Sequence, residues 1–142
     1  MIVYLDTSAL VKTLIEEEGS EVAAVLWIEA DRMYSSRLAY PEARAALAAS
    51  LRANRTDLPQ HNQAKAELER RWRQVSIVEV SAEIAAVAGE VAEHYGLRGY
   101  DAVHLASAFT SGGGDITLAT WDRDLAHAGR RAGLGVAPAL GH

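Results

Sequence analysis

The sequence predicts an α/β sandwich with a mainly parallel central sheet. Two observations support this class: short apolar runs rich in β-branched and aromatic residues, and the stretches of helical periodicity that separate them. Parallel strands need helical crossovers of this kind, so the alternation favours a parallel sheet covered by helices. A third observation, that the chain has no internal repeat and no linker, predicts one domain over residues 1–142.

The predicted elements follow one another closely along the chain. In order they are a strand at 2–5, helices at 9–15 and 20–30, a strand at 33–35, helices at 36–55 and 60–74, a strand at 75–80, helices at 82–95 and 100–111, a strand at 116–119, a helix at 122–132 and a short strand at 134–137. Gly19 is suited to end the first helix and Ser20 to cap the second, which is expected to bury Val25. Pro41 must lie in the first turn of its helix or kink it. The glycines at 112–114 predict a flexible loop.

The composition predicts a globular protein with a substantial core. Hydrophobic residues make up 49% of the chain and charged residues 23%. The net charge of −5 argues against an indiscriminate nucleic-acid binder, since such proteins usually carry a basic excess. Because there is no cysteine, carboxylates and the five histidines are the available metal ligands. No stretch approaches the length of a membrane span or has the pattern of a targeting segment, so we expect a cytoplasmic protein.

Two acids follow predicted strands. Asp6 comes directly after the run at 2–5, and Asp122 comes shortly after the run at 116–119. Ligands bind at the carboxyl edge of open parallel sheets, because the loops there leave a crevice into which helix amino termini point. The competing interpretation is that each acid only caps the next helix. The repetition at two strands favours a shared site.

Two further acids, Glu42 and Asp101, lie near the starts of predicted helices. Helix starts face the same edge of the sheet as the strand ends, so these acids can meet the first two. The helix dipole alone explains an acid at Asp101, and to some extent at Asp122, without any function. Glu42 is flanked by alanines on a long helix and is harder to explain in this way.

Four segments together carry a family resemblance. They are YLDTSAL at 4–10, the region around Glu42, YDAVHLASA at 100–108 and LATWDRDL at 118–125. The segments are similar to the signature segments of PIN-domain ribonucleases and, more narrowly, of VapC-type toxins. The match runs from end to end in the family's order and at its usual chain length, which makes it more specific than any single segment. The resemblance implies a three-layer α/β/α sandwich.

The resemblance also implies a metal site in which Asp6, Glu42, Asp101 and Asp122 are both ligands and catalytic residues for one or two Mg²⁺ or Mn²⁺ ions. Carboxylates a few ångströms apart raise each other's pKa, so a divalent cation makes their ionised arrangement favourable. Oxygen ligands with retained waters suit these two metals. One ion would lower the pKa of a bound water, and that ion or a second would stabilise charge on the phosphate and the leaving oxygen.

Other polar residues adjoin the implied ligands. Thr7 and Thr120 are candidates to orient a carboxylate or a metal-bound water, with helix capping as the alternative. Asp124 resembles an extra acid of some family members and is kept as a possible further ligand. His104 lies one helical turn from Asp101, and we expect it to pack in a helix interface.

The function implied by the resemblance is that of a metal-dependent endoribonuclease, the toxin of a toxin-antitoxin pair, acting on RNA in the cytoplasm. Such proteins are usually homodimers and bind a small antitoxin whose segment covers the acidic site. One alternative is a PIN-like scaffold that binds RNA or protein without cleavage, although a scaffold has no need of four acids. Another is a metal-dependent phosphatase, but phospho-aspartate enzymes typically have an Asp where this chain has Ser8.

Overall fold

The computed structural model describes residues 1–111 and 114–139. Along the chain the elements are β1 (Ile2–Leu5), α1 (Thr7–Lys12), α2 (Ser20–Glu29), β2 (Arg32–Ser36), α3 (Ala39–Arg52), α4 (Leu58–Trp72), β3 (Ser76–Val78), α5 (Ala82–Tyr95), α6 (Gly99–Thr110), β4 (Ile116–Ala119), α7 (Arg123–Arg131) and β5 (Gly135–Ala137). The predicted alternation of strands and helices is confirmed. The predicted glycine loop at 112–114 lies partly outside the described residues.

The strands in the described ranges form a five-stranded sheet in the order β3-β2-β1-β4-β5. Every neighbouring pair is parallel. Leu5 of β1 lies beside Ala119 of β4, so these two strands end at the same level. The order of the strands reverses at β1, which makes the gap between the ends of β1 and β4 the switch point where parallel sheets bind ligands.

Side chains of β1 alternate between the two faces of the sheet, and helices cover both faces. Tyr4 belongs to a core cluster formed with α5, α6 and α7. Val3 and Leu5 belong to a second cluster that includes residues of α1 and α2. A third cluster joins α1 to α3 and α4. Helices on both faces confirm the three-layer α/β/α sandwich, and the third cluster fixes α3 beside the end of β1.

The connection between the first two helices differs from the prediction. α1 ends at Lys12, and Gly19 is the N-cap of α2 with φ of 93°, so Ser20 is the first residue of the helix and does not cap it. A Cβ at position 19 would lie 2.7 Å from Nε1 of Trp121, which explains glycine by both conformation and space. Val25 is 50% exposed rather than buried, because α2 packs through Leu26 and its neighbours.

Among the longest predicted helices, α3 is shorter than predicted at both ends, α4 begins and ends two residues earlier, and α5 has the predicted bounds. α3 begins at Ala39, which places Pro41 in the first turn as expected. Ser81 caps α5 by accepting a hydrogen bond from the Ile84 N–H, and Gly96 ends the helix in the left-handed conformation. None of the helices in the described part of the chain is long and apolar enough to cross a membrane.

Candidate active site

Asp6 lies immediately after β1 at the switch point and is 4% exposed. Its Oδ1 accepts hydrogen bonds from the Ala9 N–H at 2.9 Å and the Ser8 hydroxyl at 2.6 Å, which makes Asp6 the N-cap of α1. Its Oδ2 accepts a short hydrogen bond from the Thr120 hydroxyl. The cap of α1 therefore uses one oxygen of the carboxylate, and the contact with Thr120 uses the other.

Asp122 repeats this arrangement beyond β4. Its Oδ1 accepts from the Leu125 N–H at 2.9 Å and caps α7, while its Oδ2 lies 3.1 Å from Nη2 of Arg98. The Thr120 hydroxyl accepts from the Asp122 backbone N–H at 3.0 Å and donates to Asp6. One buried hydroxyl therefore connects the two acids that follow the strands.

Asp101 reaches the same edge from the first turn of α6 and is 5% exposed. Arg98, just before this helix, contacts Oδ2 of Asp101 through Nε at 3.0 Å and Nη2 at 2.9 Å. The same Nη2 contacts Asp122, and the guanidinium lies 4.8 Å from the centre of the Tyr100 ring. A single cation thus bridges two acids from different elements, although its own side chain is 58% exposed.

Glu42 comes from the first turn of α3. Its Oε1 accepts from the Thr7 hydroxyl at 2.6 Å and lies 2.9 Å from Nε2 of His104. His104 is 2% exposed, and its Nδ1 lies 2.9 Å from the Tyr4 hydroxyl. These contacts tie the carboxylate of α3 to β1, α1 and α6.

The electrostatic environments of the acids differ. Burial raises the pKa of the Asp6 carboxyl above its ordinary value, against the hydrogen bonds that it accepts. Burial also raises the pKa of Asp101, with Asp122 adding to the effect and Arg98 opposing it. Burial acts in the same direction on Glu42, but the hydrogen bonds from His104 and Thr7 outweigh it and hold the pKa of Glu42 below its ordinary value. The carboxyl pKa is therefore raised at Asp6 and Asp101 and lowered at Glu42.

The chemistry of these donors fits a hard divalent cation. Within residues 1–111 and 114–139, no three His, Cys, Asp or Glu side chains are spaced as a ready-made metal site. The carboxylates at this edge nevertheless supply the oxygen ligands that Mg²⁺ and Mn²⁺ prefer. The guanidinium of Arg98 lies between Asp101 and Asp122 and supplies positive charge to these two acids. The role of the four acids as metal ligands stays a prediction.

The two threonines orient carboxylates, as the sequence suggested, and the helix caps are Asp6 and Asp122 instead. Each threonine serves an acid distant from it in sequence, because Thr7 donates to Glu42 and Thr120 donates to Asp6. Ser8, which sequence reasoning missed, holds Asp6 and accepts a hydrogen bond from the backbone N–H that follows Thr120 at 2.9 Å.

Three other residues differ from or extend the prediction. His104 packs in the interior as expected, and it also contacts Glu42, which was not expected. Arg98 was missed, and its only signal in the sequence is the spacing of three residues from Asp101. Asp124 is exposed in the first turn of α7, and no hydrogen bond or ion pair joins it to the other acids among the described residues, so its ligand role remains a prediction.

Comparison with known proteins agrees with the fold. The PIN domain family model matches residues 3–131. Ribonuclease VapC45 of Mycobacterium tuberculosis is 47% identical over 140 residues, which are 97% of this chain and 96% of the relative. VapC20, a sarcin-ricin loop cleaving toxin of the same species, has a TM-score of 0.68 at 20% identity, over 89% of this chain and 95% of its own. A toxin-antitoxin complex from Klebsiella pneumoniae has a TM-score of 0.61 at 18% identity, over 87% of this chain and 90% of its own. The chain therefore belongs to the PIN-domain family, in its VapC group.

Proposed function

We propose that this protein is a metal-dependent endoribonuclease and the toxin of a toxin-antitoxin pair, active in the cytoplasm. The observation that carries the proposal is the arrival of Asp6, Glu42, Asp101 and Asp122 at one sheet edge. Thr120 connects Asp6 to Asp122, Arg98 connects Asp122 to Asp101, and Thr7 and His104 hold Glu42. Gathering acids in this way raises the pKa of buried members and costs stability, which a scaffold would have no reason to bear. The 47% identical relative is a ribonuclease.

In the proposed reaction, the residues of the chain position the groups that hydrolyse a phosphodiester bond of RNA. Mg²⁺ or Mn²⁺, when bound, supplies Lewis-acid activation of water and neutralises charge on the phosphate. Asp6 would hold the cation through Oδ2, since Oδ1 accepts two hydrogen bonds and Oδ2 accepts only the one from Thr120. Glu42 would use Oε2, since its Oε1 is committed to Thr7.

Arg98 must move in this scheme, because its guanidinium contacts the oxygens that Asp101 and Asp122 would offer to a cation. Its side chain is 58% exposed and can turn into solvent, and the metal cation that replaces it would compensate the two carboxylates for its loss. The released guanidinium remains at the rim of an acidic edge. There it can pair with a phosphate of the RNA and help to offset the repulsion between RNA and the acids.

The proposed partner is an antitoxin that brings an arginine-bearing segment to the acids, and we propose a homodimer for the toxin itself. Charge-assisted hydrogen bonds from guanidinium to carboxylate are strong and directional, and Arg98 already makes them at this edge. A structure with the same fold is a toxin-antitoxin complex. Co-expression with the adjacent open reading frame should give a stable complex with suppressed cleavage. A partner bound only at a surface remote from the acids would refute this mechanism.

The proposed function is tested by cleavage of purified cellular RNA, with the ends of the products mapped by sequencing. We expect internal cuts in Mg²⁺ or Mn²⁺, none in chelator, and none with Asp6→Asn. The matched control is Asp115→Asn, which removes an exposed acid just before β4 and should cut at the wild-type rate. Cleavage that persists in Asp6→Asn would contradict the proposal. An inactive wild type that still binds RNA would favour the scaffold.

A further inference from the structure

A tyrosine and a histidine are buried together behind the acidic edge. Tyr4 of β1 is 0% exposed and His104 of α6 is 2% exposed. Their rings meet edge to face, with centroids 5.9 Å apart and an angle of 71° between the planes. Burying a phenol and an imidazole is costly unless their polar atoms are paired. The partners of these atoms lead from the core to Glu42.

The hydroxyl of Tyr4 faces one of the two ring nitrogens of His104. The hydroxyl lies 2.9 Å from Nδ1 of His104. When the hydroxyl donates to Nδ1, that nitrogen is the acceptor and the hydrogen of a neutral imidazole lies on Nε2. This is the tautomer that can donate to an acid.

The Nε2 atom of His104 lies 2.9 Å from Oε1 of Glu42. An ionised carboxylate only accepts hydrogen bonds, so Nε2–H is the donor in this contact. Thr7 donates to the same Oε1 at 2.6 Å. Two donors therefore fix one oxygen of Glu42, while its Oε2 has no hydrogen-bond partner among the described residues. Because Oε1 is fixed, the orientation of the Glu42 carboxylate, and with it the position of Oε2, is fixed as well.

We propose that His104 is a positioning residue for the Glu42 carboxylate and that the Tyr4 hydroxyl selects the imidazole tautomer that does this. The inference rests on the proposed function, in which Oε2 of Glu42 would hold the cation. His104 itself does not touch the reacting atoms. The role resembles that of the outer residues that orient ligands in metal sites, whose removal typically costs about 10- to 100-fold in metal affinity or activity.

The alternative is that the pair only fills the core. Tyr4→Phe separates the two interpretations, because it keeps the ring and removes only the hydroxyl. The matched control is Tyr34→Phe on the neighbouring strand β2, whose hydroxyl accepts from Arg32 at the surface. If packing is the whole role of the pair, both variants should behave alike in cleavage and in metal binding.

The first measurement is the nitrogen-15 NMR spectrum of the histidine side chains in the metal-free protein, with His104 assigned from the spectrum of His104→Gln. We expect a protonated Nε2 and an unprotonated Nδ1 in the wild type and in Tyr34→Phe, and a mixture of tautomers in Tyr4→Phe. A wild-type His104 with its hydrogen only on Nδ1, or a Tyr4→Phe spectrum identical to wild type, would overturn the inference. This measurement stands whether or not the protein cleaves RNA.

The second measurement is cleavage kinetics across a range of Mn²⁺ concentrations, with calorimetric titration of Mn²⁺ alone beside it. We expect Tyr4→Phe to lose about tenfold in kcat or in Mn²⁺ affinity, with the KM for RNA unchanged. Tyr34→Phe should stay within about twofold of wild type. Equal values for Tyr4→Phe and Tyr34→Phe in both assays would contradict a positioning role. An inactive wild type would defeat the proposed function, and the titration and the NMR spectrum would then still decide the role of His104.

Discussion

The acidic edge has two halves that are held in different ways. Asp6 and Glu42 are fixed by donors packed within the fold, namely hydroxyls, a backbone N–H and an imidazole. Asp101 and Asp122 are joined by Arg98, whose side chain is 58% exposed. Donors packed in the interior cannot leave, whereas an exposed guanidinium can rotate away. One half is therefore held by the fold, and in the proposed scheme the other would exchange Arg98 for a metal cation.

The largest expected effect comes from the half that the fold holds. Asp6→Asn should lower the rate of RNA cleavage by roughly 10³-fold, because several kcal/mol of transition-state stabilisation depend on a charged ligand at this position. An asparagine can still accept the Ala9 N–H through its carbonyl oxygen, so α1 keeps its cap. Circular dichroism should show the wild-type fold. A rate within tenfold of wild type would remove Asp6 from the centre of the site.

The second largest expected effect comes from Thr120, whose hydroxyl connects Asp6 to Asp122. Thr120→Val keeps the shape of a 2% exposed side chain but leaves Oδ2 of Asp6 without its donor. An unsatisfied buried acceptor costs about 1–3 kcal/mol, which urea denaturation of the metal-free protein should reveal. Thr13→Val is the control, since its hydroxyl donates to a backbone carbonyl within α1 at 2.7 Å. An equal loss in both variants would mean that the Asp6 contact contributes nothing special.

For the half that Arg98 joins, we expect stability and Mn²⁺ affinity to change in opposite directions when Arg98 is replaced. Arg98→Gln should lower the melting temperature in chelator, because two carboxylates lose their cation, and should strengthen Mn²⁺ binding by about threefold to tenfold, because a competitor is gone. Arg37→Gln, which breaks an exposed pair with Glu79, is the matched control and should change neither quantity much. Weaker Mn²⁺ binding in Arg98→Gln would show that Arg98 supports the metal rather than replaces it.

The smallest effect concerns pH in the metal-free protein. A carboxyl whose pKa is raised by folding contributes stability that is present below its ordinary pKa and is lost as the pH rises through the raised value. Asp101 is such a group, so Asp101→Asn should be the more stable protein at neutral pH in chelator. This advantage should shrink as the pH falls towards the ordinary value of 3.8. Urea denaturation of wild type and Asp101→Asn at several pH values measures the difference in their stability. An advantage of Asp101→Asn that grows as the pH falls would contradict the prediction.

The difference between the halves also explains how much the sequence could predict. Asp6 and Asp122 follow apolar runs, and a residue after a strand has a known place in a parallel sheet. Glu42 and Asp101 were placed at helix starts for the same reason, and the family resemblance joined all four. The role of Arg98 depends on how closely the start of α6 approaches the end of β4, and no local pattern reports that distance. His104 was assigned to the core correctly, but its contact with Glu42 depends on how closely the start of α3 approaches α6, and these helices belong to different core clusters.

The errors in the fold have a similar cause. Gly19 was expected to end a helix because glycine does so often, whereas here it begins the next helix against the indole of Trp121, a contact between distant parts of the chain. Val25 has the spacing of a buried residue, yet it is exposed because the sheet covers only one side of α2. In both cases local propensity predicts that a helix forms, whereas tertiary contacts decide where it begins and which of its side chains are buried.

Calorimetric titration of Mn²⁺ tests most directly whether the two halves form one site. Wild type and Asp115→Asn should bind alike, while Glu42→Gln and Asp122→Asn, one from each half, should each weaken binding by at least about tenfold, as the loss of a charged ligand from a shared site requires. Circular dichroism of each variant would confirm that it is folded. Wild-type affinity in either Glu42→Gln or Asp122→Asn would show that its half lies outside the metal site, and the central claim would then be wrong.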